Sequence, residues 1–197
     1  METTIKRKPV SRKKARRLSK KRMSLPQFIE WVDQQEDGYK YEWKQGFVEQ
    51  YETMIKKSEW PIVDNIYRAF ITTKAFQAGG NLITTPASQL DPKTLRYPDL
   101  AFLTKEQIRN TDPDEHPIAS FMIEIVSPSD QIGSVKNKIG EYFAAGVQVV
   151  WYVFPLLRQV EVYHTPKKVT ICTDDDFCSA APAVSDLSLT PQRIFTQ

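Results

Sequence analysis

A glutamate in the middle of an apolar strand needs compensation. Glu124 stands within Phe121-Met122-Ile123-Glu124-Ile125-Val126, where a bare carboxylate would be costly or would take up a proton. Strand alternation puts Met122, Glu124 and Val126 on one face, so the charge meets solvent, an ion-pair partner or a metal. Asp99 is the second acid of interest. It follows Pro98, whose missing amide proton suits a sheet edge or a place where strands split, and it heads Leu100-Ala101-Phe102-Leu103. Two carboxylates on neighbouring strands can share one Mg²⁺, which takes oxygen ligands and keeps water in the remaining positions. Mn²⁺ has the same preference and can substitute. Lys138 falls in the helix after the strand of Glu124, at the border of a stripe formed by Val135, Ile139 and Tyr142. Its ammonium can reach toward the carboxylates, orient an attacking water and balance charge on a phosphate. The plainer reading is a solvated helix lysine, as for Lys136. Ser127-Pro128-Ser129-Asp130 reads equally as a turn and helix cap.

Several elements must position these groups. Ser24 with Gln27 forms a capping-box pattern ahead of Phe28, Trp31 and Val32, which predicts a helix over about Pro26 to Gln34. Tyr39, Tyr41 and Trp43 alternate with Lys40, Glu42 and Lys44, and Gly46 separates them from Phe47, Val48 and Tyr51, the pattern of a β-hairpin. Pro61 to Gln77 reads as one long helix stopped at Gly79-Gly80. Strands are expected at Leu82 to Thr85, Arg96 to Leu103 and Ile118 to Val126, with a polar loop between the last two. A helix capped by Ser129 or Asp130 runs to Gly146, Val147 to Phe154 is a buried strand, and Gln159 to His164 with Val169 to Cys172 make a closing hairpin. This order predicts an α/β (α+β) fold, a central mixed sheet flanked by helices with an N-terminal helix and hairpin.

The chain of 197 residues has a net charge of +3, unevenly spread. Residues 1–22 carry eleven basic side chains against the single acid Glu2, which leaves the other 175 residues at −7. So few apolar residues there cannot offset the entropy of ordering, so a disordered basic arm is expected, followed by one domain over 23–197. Lys13, Lys14, Arg16, Arg17, Lys20, Lys21 and Arg22 are the candidate phosphate contacts for nucleic acid. A solubilising extension, an anionic-membrane patch and an import signal are the alternatives. No apolar run approaches membrane-spanning length, and no secretory h-region follows the basic stretch. A cytoplasmic, or nucleoid-associated, protein is expected. Cys172 and Cys178 read as free thiols.

The succession Tyr97-Pro98-Asp99-Leu100, Ile123 to Asp130, Lys138 to Tyr142 to Gly146-Val147, and Val150-Trp151-Tyr152-Val153 before a proline resembles the Uma-type restriction endonucleases, a branch of the PD-(D/E)XK nuclease superfamily. The resemblance runs from about Leu25 to Phe195 and includes Tyr41-Glu42 with Gly46. It implies a restriction-endonuclease-like core with a four-stranded mixed sheet, and Mg²⁺-dependent hydrolysis of DNA phosphodiester bonds. On that resemblance Asp99 and Glu124 are metal ligands, and Glu42 matches an early glutamate that completes the acidic cluster. The hairpin alternation instead puts Glu42 on an ordinary polar strand face. One departure matters: Val126 stands two residues after Glu124, where the superfamily motif has a lysine, and Lys138 matches the migrated lysine of the Uma-type pattern. Trp60 stands where that pattern shows a histidine, and His116 and His164 read as surface or loop residues. The competing function is a catalytically inactive DNA-binding or partner-binding protein that keeps the fold, with Glu124 and Lys138 merely paired. Cutting both strands of a duplex suits a homodimer.

Overall fold

The computed structural model describes residues 16–17, 22–51, 55–126 and 132–196. Helix α1 (Leu25–Val32) opens on the expected capping box: the Ser24 amide donates to Gln27 Oε1 at 2.9 Å and the Gln27 amide to Ser24 Oγ at 3.4 Å. A hairpin of β2 (Lys40–Lys44) and β3 (Phe47–Tyr51) follows, and β1 (Arg16–Arg17) precedes both in the chain. Gln45 and Gly46 join the hairpin strands with φ of 51° and 86°, the left-handed pair that a two-residue turn needs to match strand twist. Arg16 and Arg17, read from sequence as part of a disordered arm, pair with Gln50 and Glu49 on the open edge of β3. Lys13, Lys14, Lys20 and Lys21 of that arm lie outside the described residues, as do Ser127 to Asp130.

The long helix expected over Pro61 to Gln77 is two. Helix α2 (Trp60–Phe70) buries Ile62, Ile66 and Phe70, and α3 (Lys74–Gln77) starts afresh. Thr73 makes the break: its hydroxyl donates to the Phe70 carbonyl at 2.7 Å and accepts from the Phe76 amide at 3.2 Å, a local alternative to continued helix.

The expected strand Arg96 to Leu103 is also two. After β4 (Asn81–Thr84) and β5 (Ser88–Asp91), β6 (Thr94–Arg96) belongs to one sheet and β7 (Leu100–Leu103) to another. Tyr97-Pro98-Asp99 is the crossing, and Pro98 supplies the residue without a ladder donor at that point. The expected polar loop beyond β7 holds a short helix α4 (Lys105–Asn110), capped by Thr104 and Gln107.

The remaining elements are β8 (Phe121–Ile125), α5 (Ile132–Ala144), β9 (Val149–Phe154), β10 (Gln159–Thr165), β11 (Lys168–Thr173), the short pair β12 (Cys178–Ser179) and β13 (Ser188–Leu189), and α6 (Pro191–Ile194). The larger sheet runs β11-β10-β9-β8-β7-β4, six strands where the resemblance implies four. Only β8 and β9 pair parallel among its described neighbours, joined through α5 as such a pair requires. The smaller sheet runs β1-β3-β2-β6-β5, all antiparallel.

Alternation along β8 sends Phe121, Ile123 and Ile125 into a core with α2 and the C-terminal segment. Met122 goes the other way, toward Ile139 and Tyr142 of α5. On the smaller sheet, Tyr41 and Trp43 pack with Phe28 of α1. The opposite face of β2, carrying Lys40, Glu42 and Lys44, therefore turns toward α5 and β8. Cys172 and Cys178 are buried free thiols.

Candidate active site

Where the two sheets meet, a polar cluster is largely buried. Glu42 is 0% exposed, Arg96 2%, Glu124 6%, Lys138 6% and Asp99 8%. Each has its opposite charge within reach, as burial of ions demands. Lys138 Nζ lies 2.9 Å from Glu42 Oε1 and 3.3 Å from Glu124 Oε1, and the Tyr142 hydroxyl donates to the same Glu124 oxygen. Lys138, Glu141 and Tyr142 are three and four residues apart, so one face of α5 presents them together. The Lys138 ammonium also lies 4.5 Å from the centre of the Tyr51 ring.

Asp99, released from the sheet ladder beside Pro98, is fixed at both oxygens. Its Oδ2 accepts from the Ile125 amide at 2.7 Å and its Oδ1 from Lys40 Nζ at 2.9 Å. Lys40 also stands 3.8 Å from Glu124 Oε2 and donates to the Tyr97 carbonyl at 3.0 Å. Asp99 and Glu124 thus share one cation, the ammonium of Lys40. Arg96 binds Glu42 Oε2 and Glu49 Oε2, both at 2.7 Å, and Glu141 Oε2 at 2.9 Å. Lys44 pairs with Glu141 at the rim.

Proton affinities follow this layout. Burial alone would raise Glu42, but Lys138 and Arg96 outweigh it and bring the carboxyl down to about 2. At Glu124 burial prevails over Lys138 and Lys40, and the carboxyl sits above its ordinary value. Lys138 is opposed by burial yet held above the usual lysine range by Glu124 and Glu42, and Lys40 likewise by Asp99 and Glu124. Both lysines stay charged. Burial, with Glu124 next, pushes the Tyr142 hydroxyl well up, so it remains a donor.

The structure brings the sequence candidates Asp99, Glu124, Lys138 and Glu42 together, with one change of arrangement. No group of three or more His, Cys, Asp or Glu is spaced to share a metal among the described residues. Glu42, expected to complete an acidic cluster, instead spends its two oxygens on Lys138 and Arg96, because those cations project onto the face that β2 turns inward. Its expected place on an ordinary polar strand face is likewise corrected: that face is covered by α5. Asp99 and Glu124 each turn an oxygen toward one position, which the Lys40 ammonium fills. The donor chemistry fits Mg²⁺. Sequence reasoning missed Lys40 and Arg96. The period-two run Lys40, Glu42, Lys44 was the available signal, since a charged stripe on a strand flanked by buried aromatics can face a second sheet. Neither His116 nor His164 is bonded to the cluster. Arg22, the described member of the arm with a defined side chain, lies over Phe47 at 5.3 Å from the ring centre. Among the described residues no helix is long and apolar enough to cross a membrane.

No curated protein matches this chain. Among solved structures, it resembles a crystal structure titled as a "putative nuclease belonging to DUF820" from Anabaena variabilis. The TM-score is 0.70 at 17% identity, covering 85% of this chain and 96% of that one, a likeness of fold. That fold and the restriction-endonuclease-like mixed sheet expected from sequence agree. The Uma2 family model, described as "Putative restriction endonuclease", matches residues 25–192, nearly everything beyond the basic arm, and the chain belongs to that family.

Proposed function

We propose that the protein is a Mg²⁺-dependent endonuclease that hydrolyses DNA phosphodiester bonds. The observation that carries this is the convergence of Asp99 and Glu124, from different segments, on one cation position with Lys138 beside it. Asp99 and Glu124 would hold the metal, with Mn²⁺ as a substitute. When bound, the cation supplies Lewis-acid polarisation of the phosphate and activates a water nucleophile.

The chain's own groups do the rest. Lys138 stays protonated, so it acts as a fixed donor to charge developing on phosphate and as an orienting group for water, not as a base. Glu42 stays ionised and holds Lys138 in place, while Arg96 holds Glu42. Tyr142 fixes Glu124 from the helix side. Val126 contributes no charge at the motif position, and Lys138 takes that task from α5. The basic segment of residues 1–22 supplies sequence-independent phosphate contacts that raise affinity and encounter rate.

The test is cleavage of plasmid and single-stranded DNA with Mg²⁺, Mn²⁺ or EDTA, beside Asp99→Asn and Lys138→Ala. Metal-dependent cutting lost in both variants is the expected result. Cutting that survives in both refutes the site. DNA binding without any cutting would favour the second reading, a non-catalytic DNA-binding protein. The ion pairing of Glu124 with Lys138 at 3.3 Å supports that reading too.

A further inference from the structure

The Lys40 ammonium occupies the place between the two acids. It is held by Asp99 Oδ1 at 2.9 Å, Glu124 Oε2 at 3.8 Å and the Tyr97 carbonyl at 3.0 Å. Two carboxylates and a carbonyl are the kind of all-oxygen set that a hard divalent cation takes. Lys138 does not share this place. It bonds the opposite oxygen of Glu124 and turns its other contact to Glu42. The two lysines therefore do different things, although both neutralise Glu124. Lys40 begins β2, just after the turn at Gly38, and its charge hangs on a flexible four-carbon stem.

We propose that Lys40 is a built-in counter-cation, which fills the gap between Asp99 and Glu124 in the metal-free chain and is displaced when a divalent cation binds. An ammonium and a metal ion cannot both occupy the one position between Asp99 Oδ1, Glu124 Oε2 and the Tyr97 carbonyl. The affinity of the site for Mg²⁺ is thus the difference between two occupancies, and Lys40 sets the weaker side of that balance. Without it, Asp99 and Glu124 would face each other with less compensation, which favours the metal further. This inference rests on the reading that Asp99 and Glu124 hold the cation.

The experiment is titration of full-length protein with Mg²⁺, followed by calorimetry and by the rise in melting temperature. Wild type is compared with Lys40→Met, Lys40→Gln, Lys138→Met and Asp99→Asn, with circular dichroism confirming the fold of each. Both Lys40 variants should bind Mg²⁺ tighter by about tenfold or more, the ratio expected when one buried competing charge is lost. They should also melt lower in EDTA. Lys138→Met should gain less, because its ammonium lies outside the gap. Equal or weaker Mg²⁺ affinity in the Lys40 variants, with wild type binding and Asp99→Asn not, overturns the role of Lys40 alone. A gain equal to that of Lys138→Met also overturns it, leaving only net charge. If neither wild type nor the Lys40 variants responds to Mg²⁺, the metal reading fails and the inference falls with it.

Discussion

Arg96→Met removes the guanidinium that ties three glutamates together at the junction of the sheets. Arg96 is 2% exposed and its principal partner Glu42 is 0% exposed. The Glu42 Oε2 atom, now 2.7 Å from the guanidinium, would face a thioether instead of a cation, while Oε1 kept Lys138. Deleting one member of a buried ion pair costs about 3–5 kcal/mol, because the other is left charged and desolvated. At about 2–4 °C per kcal/mol for a domain of this size, the melting temperature should fall by about 10 °C. Glu49 and Glu141 add little, since both are partly solvated. The assay is urea unfolding of wild type, Arg96→Met, Glu42→Gln and the double variant. Because the orphaned charge accounts for most of the loss, removing it too should recover stability, with a coupling of about 1–3 kcal/mol. Additive penalties, or an Arg96→Met loss below about 1 kcal/mol, would refute the reasoning that this pair is paid for by mutual neutralisation. Cleavage should fall in parallel, since Glu42 would keep Lys138 but lose the guanidinium that fixes its other oxygen.

Three further outcomes are expected. Lys138→Met should abolish cleavage while leaving a Mg²⁺-dependent rise in melting temperature, since it removes charge stabilisation and not an oxygen ligand; loss of the rise would make Lys138 part of the cation site's integrity. Glu42, at about 2 in the fold against an ordinary 4.5, contributes stability that is full above pH 4.5 and is lost as pH falls through about 2. That difference is worth about 3 kcal/mol, so Glu42→Gln should flatten the acid limb of a urea-midpoint profile between pH 5 and 2, and an unchanged limb counts against the assignment. Glu124 has the opposite sign: its raised value means that stability declines as pH rises through it. Removing residues 1–22 takes away eleven basic side chains and should weaken DNA binding and reduce its salt dependence; unchanged affinity and slope would exclude the arm from phosphate contact.

Local rules made much of this molecule legible. The Ser24 and Gln27 pair announced α1, Gly46 between two alternating runs announced the hairpin, and alternation along Phe121 to Ile125 sorted Glu124 from its immediate apolar neighbours. Pro98 suited either a sheet edge or a split between strands, and the structure makes it the split although one strand was expected across it. Other local signals were outweighed or hidden: Thr73 interrupts an apolar helical period by bonding its own backbone, and the Thr104 and Gln107 cap lay inside a stretch rich in loop residues.

The residue types and spacing by themselves placed Asp99 beside Pro98 ahead of Leu100 to Leu103, Glu124 on one face of the following long strand and Lys138 on the helix after it. Periodicity says which side chains share a face because it depends only on the backbone repeat. It does not say what that face meets. Only the packing of the smaller sheet against α5 and β8 decided that Lys40 and Glu42 are buried rather than solvated, that Arg96 belongs to the cluster, and that Glu42 binds cations instead of joining the acids. Those contacts span up to 96 residues of chain. They arise because buried charges must find opposite charges wherever the fold brings them.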